Sequence, residues 1–201
     1  MNENVQDVVS LTVTDADSSA APTYTLSGTD SDLFQVNSGT LRFVSNTGQN
    51  FESMTCSANP CTVTVTATDA GGNTADQTIQ VTITDADEFN VVAPADTDSD
   101  ANTLAESVSN GASAEITASA TDADGTTNTV TYAITAQSCS GAFAIDASTG
   151  AVTVADTSAI DYDAGTTCTV TVRATSADSS TADATFTVTL TDVNDQTPTY
   201  S

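Results

Sequence analysis

The stretch Thr78-Ile79-Gln80-Val81-Thr82-Ile83-Thr84 runs straight into Asp85-Ala86-Asp87-Glu88, and Phe186-Thr187-Val188-Thr189-Leu190-Thr191 runs into Asp192-Val193-Asn194-Asp195. In both, apolar residues alternate with Thr or Gln. That is the period of a β-strand with one buried face, and β-branched residues suit it. In both, carboxylates crowd the strand exit. These twin segments are strands, repeated, with acidic tips.

The repetition extends along the chain. Asp15 falls on Asp122, Cys61 on Cys168 and Asp85 on Asp192 at one constant spacing. Between these anchors the spacing drifts, so that Phe34 pairs with Phe143 and Phe51 with Tyr162, as loops of unequal length require. Two tandem modules of about 100 residues follow, expected at 1–88 and 89–201. Each shows further alternating runs: Val9, Leu11 and Val13; Val63 and Val65; Val170 and Val172. Turn sequences such as Ala70-Gly71-Gly72-Asn73 and Ser148-Thr149-Gly150 punctuate them. No helical period of useful length competes. The fold class is all-β, two Greek-key sandwiches of immunoglobulin type in series.

Composition narrows the function. There are 27 Asp plus Glu against two basic residues, Arg42 and Arg173, with no His and a formal charge of −25. Phosphates of nucleic acid and anionic membranes would be repelled. Two compatible readings remain: a surface kept soluble by its acidity, or a chain built to hold cations. No apolar run approaches the roughly 20 residues that span a bilayer, and no leader is read at the amino end. The chain reads as an excerpt from a longer array. Four cysteines suit an oxidising exterior, with pairs expected at Cys56–Cys61 and Cys139–Cys168, one in each module.

The carboxylates are grouped. The first module carries Glu3, Asp15-Ala16-Asp17, Asn50-Phe51-Glu52, Asp69 and Asp85-Ala86-Asp87-Glu88; the second carries Glu106, Asp122-Ala123-Asp124, Asp161-Tyr162-Asp163 and Asp192-Val193-Asn194-Asp195. Two acidic residues one apart at a strand exit point to the same side of the chain. Anions packed this way need a hard cation. Ca²⁺ takes six to eight oxygen ligands, whereas Mg²⁺ keeps several waters. Zinc is disfavoured without His or a CxxC.

These motifs, ending in Asp192-Val193-Asn194-Asp195-Gln196-Thr197-Pro198, resemble those of tandem cadherin repeats in the divergent form found in large bacterial surface proteins. The resemblance implies a first module short of part of its opening strand, because Glu3 comes almost at once, and calcium between successive modules. At the joint it assigns Glu3, Glu52, Asp85, Glu88, the Ala86 carbonyl and Asn50 as a neutral donor, with Asp124 bridging from the second module. A third position would take Asp87, Asp122, Asp124 and an Asp from a later strand. There the chain departs from the family, because Ser176 stands opposite Asp69 and Phe89 replaces the second linker Asn. Two well-held ions and a weak or absent third are therefore expected, with Asp178 near enough in sequence to offer a substitute. Glu106, Asp161, Asp163, Asp192 and Asp195 form the lower set, awaiting a following module. Asp15, Asp17 and Asp69 await a preceding one.

The function implied is a calcium-rigidified extracellular spacer or adhesive segment of a cell-surface protein. Its partners would be adjacent cadherin-like modules in the same chain, and beyond them another surface protein or a polysaccharide. The alternative is a carbohydrate-binding module, for which Tyr24, Tyr132 and Tyr200 are the candidate platforms. Enzymatic function is not expected. No His is present for a triad, and the paired carboxylates lie at strand ends with no sign of a cleft.

Overall fold

The computed structural model describes residues 1–17 and 19–194. The chain divides into two compact units, Met1–Ala86 and a second that begins at Asp87. Both are β-sandwiches.

The first unit contains β1 (Asp7–Ser10), β2 (Thr23–Ser27), β3 (Phe34–Asn37), β4 (Thr40–Phe43), β5 (Cys61–Thr68) and β6 (Thr74–Val81). Among the described residues they form two sheets, ordered β1-β4-β3 and β2-β5-β6. Strand β5 shows why the alternation reads so cleanly. Cys61, Val63, Val65 and Ala67 are buried while Thr62, Thr64, Thr66 and Thr68 are half-exposed, so one face feeds the core and the other meets water. The core joins Phe34, Leu41, Phe43, Val63, Val81 and Ile83. The Phe34 and Phe43 rings stack at 4.5 Å between centroids.

The second unit contains β7 (Ala95–Asp96), β8 (Thr103–Ala105), β9 (Ser113–Ser119), β10 (Val130–Gln137), β11 (Phe143–Ile145), β12 (Ala151–Val154), β13 (Thr167–Ser176) and β14 (Thr181–Thr191). Its sheets are ordered β11-β12-β9-β7 and β10-β13-β14-β8. The opening strand is split. β7 pairs antiparallel with β9, and β8 pairs parallel with β14, so Val91 and Leu104 flank the split and enter the core. In the first unit the only trace of this strand among the described residues is a parallel bridge from Asn2 to Thr84.

The repeat extends to side chains. Thr64 and Thr78 share a hydroxyl hydrogen bond of 2.9 Å across β5 and β6, and Thr171 and Thr185 share one of 2.9 Å across β13 and β14. Such cross-strand pairs are the sheet's own stabilising unit. Disulfides Cys56–Cys61 and Cys139–Cys168 form, with Cα separations of 5.4 and 5.5 Å, as expected. One expected run is shorter than its pattern. The alternation from Val9 to Val13 is a strand only through Ser10, because its partner β4 is a four-residue strand. Leu11 adds a single bond to Gly39.

Candidate metal centres

The base of the first unit is organised around Glu3. Its backbone N–H donates to the Thr84 carbonyl at 3.0 Å, which ties the first residues to the chain leaving β6. The residue is 3% exposed. Oε1 accepts from the Ala86 N–H at 2.8 Å and Oε2 from the Phe51 N–H at 2.7 Å. One side chain thus holds two acidic segments together. Carboxylate oxygens of Glu3, Glu52 and Asp85 lie within 4.8 Å of one another. Asn50 stands beside them in sequence, its Oδ1 accepting from the Ser53 N–H and hydroxyl, both at 2.8 Å. The unit's single side-chain cation, Arg42, is paired with Asp7 at 3.0 Å.

The base of the second unit repeats the clamp. The Glu106 N–H donates to Thr191 O at 3.2 Å. Its Oε1 accepts from Val193 N at 2.6 Å and its Oε2 from Tyr162 N at 2.8 Å. Asp161 repeats Asn50, accepting from Ala164 N at 3.1 Å. Here the carboxylates stand further apart. Asp161, Asp163 and Asp192 are exposed, and among the described residues they form no triplet within 4.8 Å with Glu106. Asp195 lies outside the described residues.

The top of the second unit is the most enclosed of these places. Asp122 and Asp124 leave β9, and the Asp124 N–H turns back to Asp122 Oδ1 at 3.3 Å. Asp124 is 1% exposed and Asp122 is 9% exposed. Asp124 Oδ1 accepts from the N–H groups of Glu88 at 3.1 Å and Phe89 at 3.3 Å. The Oδ2 atoms of both aspartates are buried without any hydrogen-bond donor. Oxygens of Asp87, Asp124 and Asp178 lie within 4.8 Å of one another. The first unit has the same motif: the Asp17 N–H donates to Asp15 Oδ1 at 3.1 Å, and Asp15 Oδ2 is buried without a donor.

A buried carboxylate oxygen with no donor is costly to leave unmatched. An oxygen-seeking cation matches it. The donor set therefore fits a hard metal ion: oxygen ligands, no His, and every cysteine committed to a disulfide.

Sequence reasoning missed one grouping. Asp98, Asp100 and Glu115 come within 4.8 Å of one another, and none of the three was among the expected ligands. The alternation in Asp96-Thr97-Asp98-Ser99-Asp100 was the available signal. The candidate sugar platforms do not assemble among the described residues. Tyr132 is buried, its hydroxyl accepting from Ala120 N at 2.9 Å; Tyr24 packs against the first core; and Tyr200 lies outside the described residues.

Comparison with known proteins bears on both units. Residues 98–191 match the Cadherin domain family. Mouse cadherin-23 repeats EC22-24 align with a TM-score of 0.71 over 97% of this chain at 22% identity. Domains 3-6 of protocadherin gamma B2 give 0.73 over 97% at 21%, and Drosophila N-cadherin EC1-4 gives 0.69 over 95% at 21%. The fold is that of cadherin-like repeats. The chain spans 63%, 45% and 46% of those three structures respectively. Curated protein sequences give no match.

Proposed function

We propose that the chain is a calcium-binding segment of an extracellular rod, serving as spacer or adhesive stretch of a large surface protein of the divergent bacterial kind. Asp124 carries this reading, being almost fully buried with one oxygen unmatched in a chain with only two side-chain cations. Both cations are occupied elsewhere, Arg42 with Asp7 and Arg173 with Asp183. Neither side chain is left to neutralise the acidic tips. The two disulfides support an oxidising, extracellular setting. The acidity, far from the usual balance of a soluble domain, supports the cation-holding reading.

The proposed mechanism is electrostatic. Glu3, Asn50, Glu52, Asp85 and the Ala86 carbonyl on one unit, with Asp87, Glu88, Asp122 and Asp124 on the next, would hold calcium where one repeat passes into the other. Glu106, Asp161, Asp163, Asp192 and Asp195 would serve a following repeat. Calcium supplies positive charge that the carboxylates lack, so ligands drawn from neighbouring repeats become fixed to common ions. Without it, carboxylates at close range repel and the linking residues swing freely. Extracellular modules of this chemistry bind calcium at about 10⁻⁴–10⁻³ M, so the rod would be stiff outside cells and soft when calcium is withdrawn. Stabilisation of neighbour by neighbour suits an array.

Small-angle scattering tests the stiffening. Calcium is expected to give a longer, better-defined particle than chelator, and Glu88→Ala is expected to abolish most of that difference. A particle of unchanged dimensions in calcium contradicts the proposal.

A further inference from the structure

We propose that Asp178 is the cation ligand that stands in for the aspartate missing at Ser176, so that the third position is kept rather than lost. The proposal rests on the calcium reading above and reverses the expectation of a weakened third site.

The two units carry the same hairpin at this point, which fixes the correspondence residue by residue. In the first unit the Asp69 N–H donates to Asn73 O at 3.0 Å and the Gly72 N–H to Asp69 O at 3.3 Å; in the second, the Ser176 N–H donates to Ser180 O at 3.0 Å and the Ser179 N–H to Ser176 O at 3.0 Å. Gly72 and Ser179 both take the left-handed conformation, at φ 89° and 80°. Ser176 therefore matches Asp69, Asp178 matches Gly71, and Ser180 matches Asn73.

A carboxylate occupies the same place in both hairpins although it comes from different residues. In the first, Asp69 Oδ1 accepts from the Asn73 N–H at 2.7 Å. In the second, the equivalent Ser180 N–H is accepted by Asp178 Oδ1, also at 2.7 Å. The geometry at Gly71 explains why this exchange works. A Cβ there would point at the Asp69 carboxylate, 3.4 Å from Oδ1. A side chain grown from that position reaches the spot that the other residue would otherwise fill. Ser176, too short to reach it, turns inward and donates to the Thr127 carbonyl at 2.9 Å.

The transposed carboxylate meets the rest of a cation site. Asp178 and Asp87 come within 4.8 Å of Asp124, whose Oδ2 is buried without a donor. Asp122 Oδ2, also donorless, belongs to the same Asp-Ala-Asp turn. A cluster of carboxylates selects a hard divalent cation, and calcium tolerates this crowding where magnesium would keep its water.

The test counts bound calcium on the full chain by native mass spectrometry across a calcium titration. Asp178→Asn, which keeps an acceptor for Ser180, is expected to lose one ion relative to wild type. The double change Ser176→Asp with Asp178→Gly copies the first hairpin and is expected to restore that ion. Thermal melts in chelator check that each variant is folded. Lanthanide-soaked crystals of the wild type provide a measurement free of substitutions, and an anomalous peak is expected within about 2.6 Å of an Asp178 oxygen. An unchanged ion count in Asp178→Asn, or no peak at Asp178 while peaks appear elsewhere, overturns this inference and leaves the calcium reading standing. A wild type that binds no calcium overturns both.

Discussion

Asp30 shows how much a single carboxylate can do away from any metal centre. It is 4% exposed, and its two oxygens accept from the Ser57 N–H at 2.8 Å and the Thr62 N–H at 2.7 Å. It thereby pins the loop that carries the Cys56–Cys61 disulfide. Those bonds, the Ser57 one first, hold its carboxyl below the ordinary value against the opposing effect of burial. Asp30→Ala removes both charge-assisted hydrogen bonds and is expected to cost about 2 kcal/mol in chemical denaturation, while calcium-dependent scattering stays as in wild type. The depressed value fixes the sign of the pH effect. Asp30 binds its proton more weakly when folded, so its stabilisation is full above the unfolded carboxyl value of about 3.9 and falls away as pH drops through the lower folded value. Asp30→Asn is expected to flatten that part of the acid-stability curve. Nothing in the sequence marks Asp30 for this part, because its partners lie far along the chain and no local pattern reveals them. Glu3 was legible, since it recurs as Glu106 ahead of the same motifs, but its part in clamping two backbone segments was not.

At the scale of elements, the strands were the most readable feature. Alternation in β5, β13 and β14 needs only that one face be buried, and the sequence carries that requirement locally. The split of the opening strand into β7 and β8 was hidden, because two- and three-residue pieces are too short to show a period. The disulfides were legible from their spacing, and they differ in what they close. Cys56–Cys61 spans 5 residues and Cys139–Cys168 spans 29. On chain-entropy grounds the longer loop contributes about 3.5 kcal/mol and the shorter about 2. Replacing Cys139 and Cys168 by Ser is expected to lower stability more than replacing Cys56 and Cys61, as read from denaturation midpoints of the two double variants. The hairpins after β5 and β13 teach a further lesson. Sequence alignment saw an aspartate lost at Ser176, whereas the fold shows the carboxylate moved by two residues. Only the backbone hydrogen bonds show that the two places coincide.

For the whole molecule, charge dominates. A chain at −25 carries self-repulsion that opposes compactness, and a bound cation relieves it where carboxylates are closest. Ions that bind only the folded chain stabilise it by linkage, each contributing about 2.7 kcal/mol at a hundredfold excess over its dissociation constant. Calcium is thus expected to raise the melting temperature well beyond sodium chloride of equal ionic strength, since simple screening cannot replace coordination. Tandem repetition and the acidic motifs were visible in the sequence. Which oxygens lack a donor was not, because that depends on burial created by the whole fold. The most direct test is calorimetric titration of chelator-stripped protein with calcium. Saturable uptake of more than one ion, diminished by Glu3→Gln and Asp124→Asn, is predicted; a titration with no binding heat beyond dilution, supported by an unshifted melting temperature, would contradict the account.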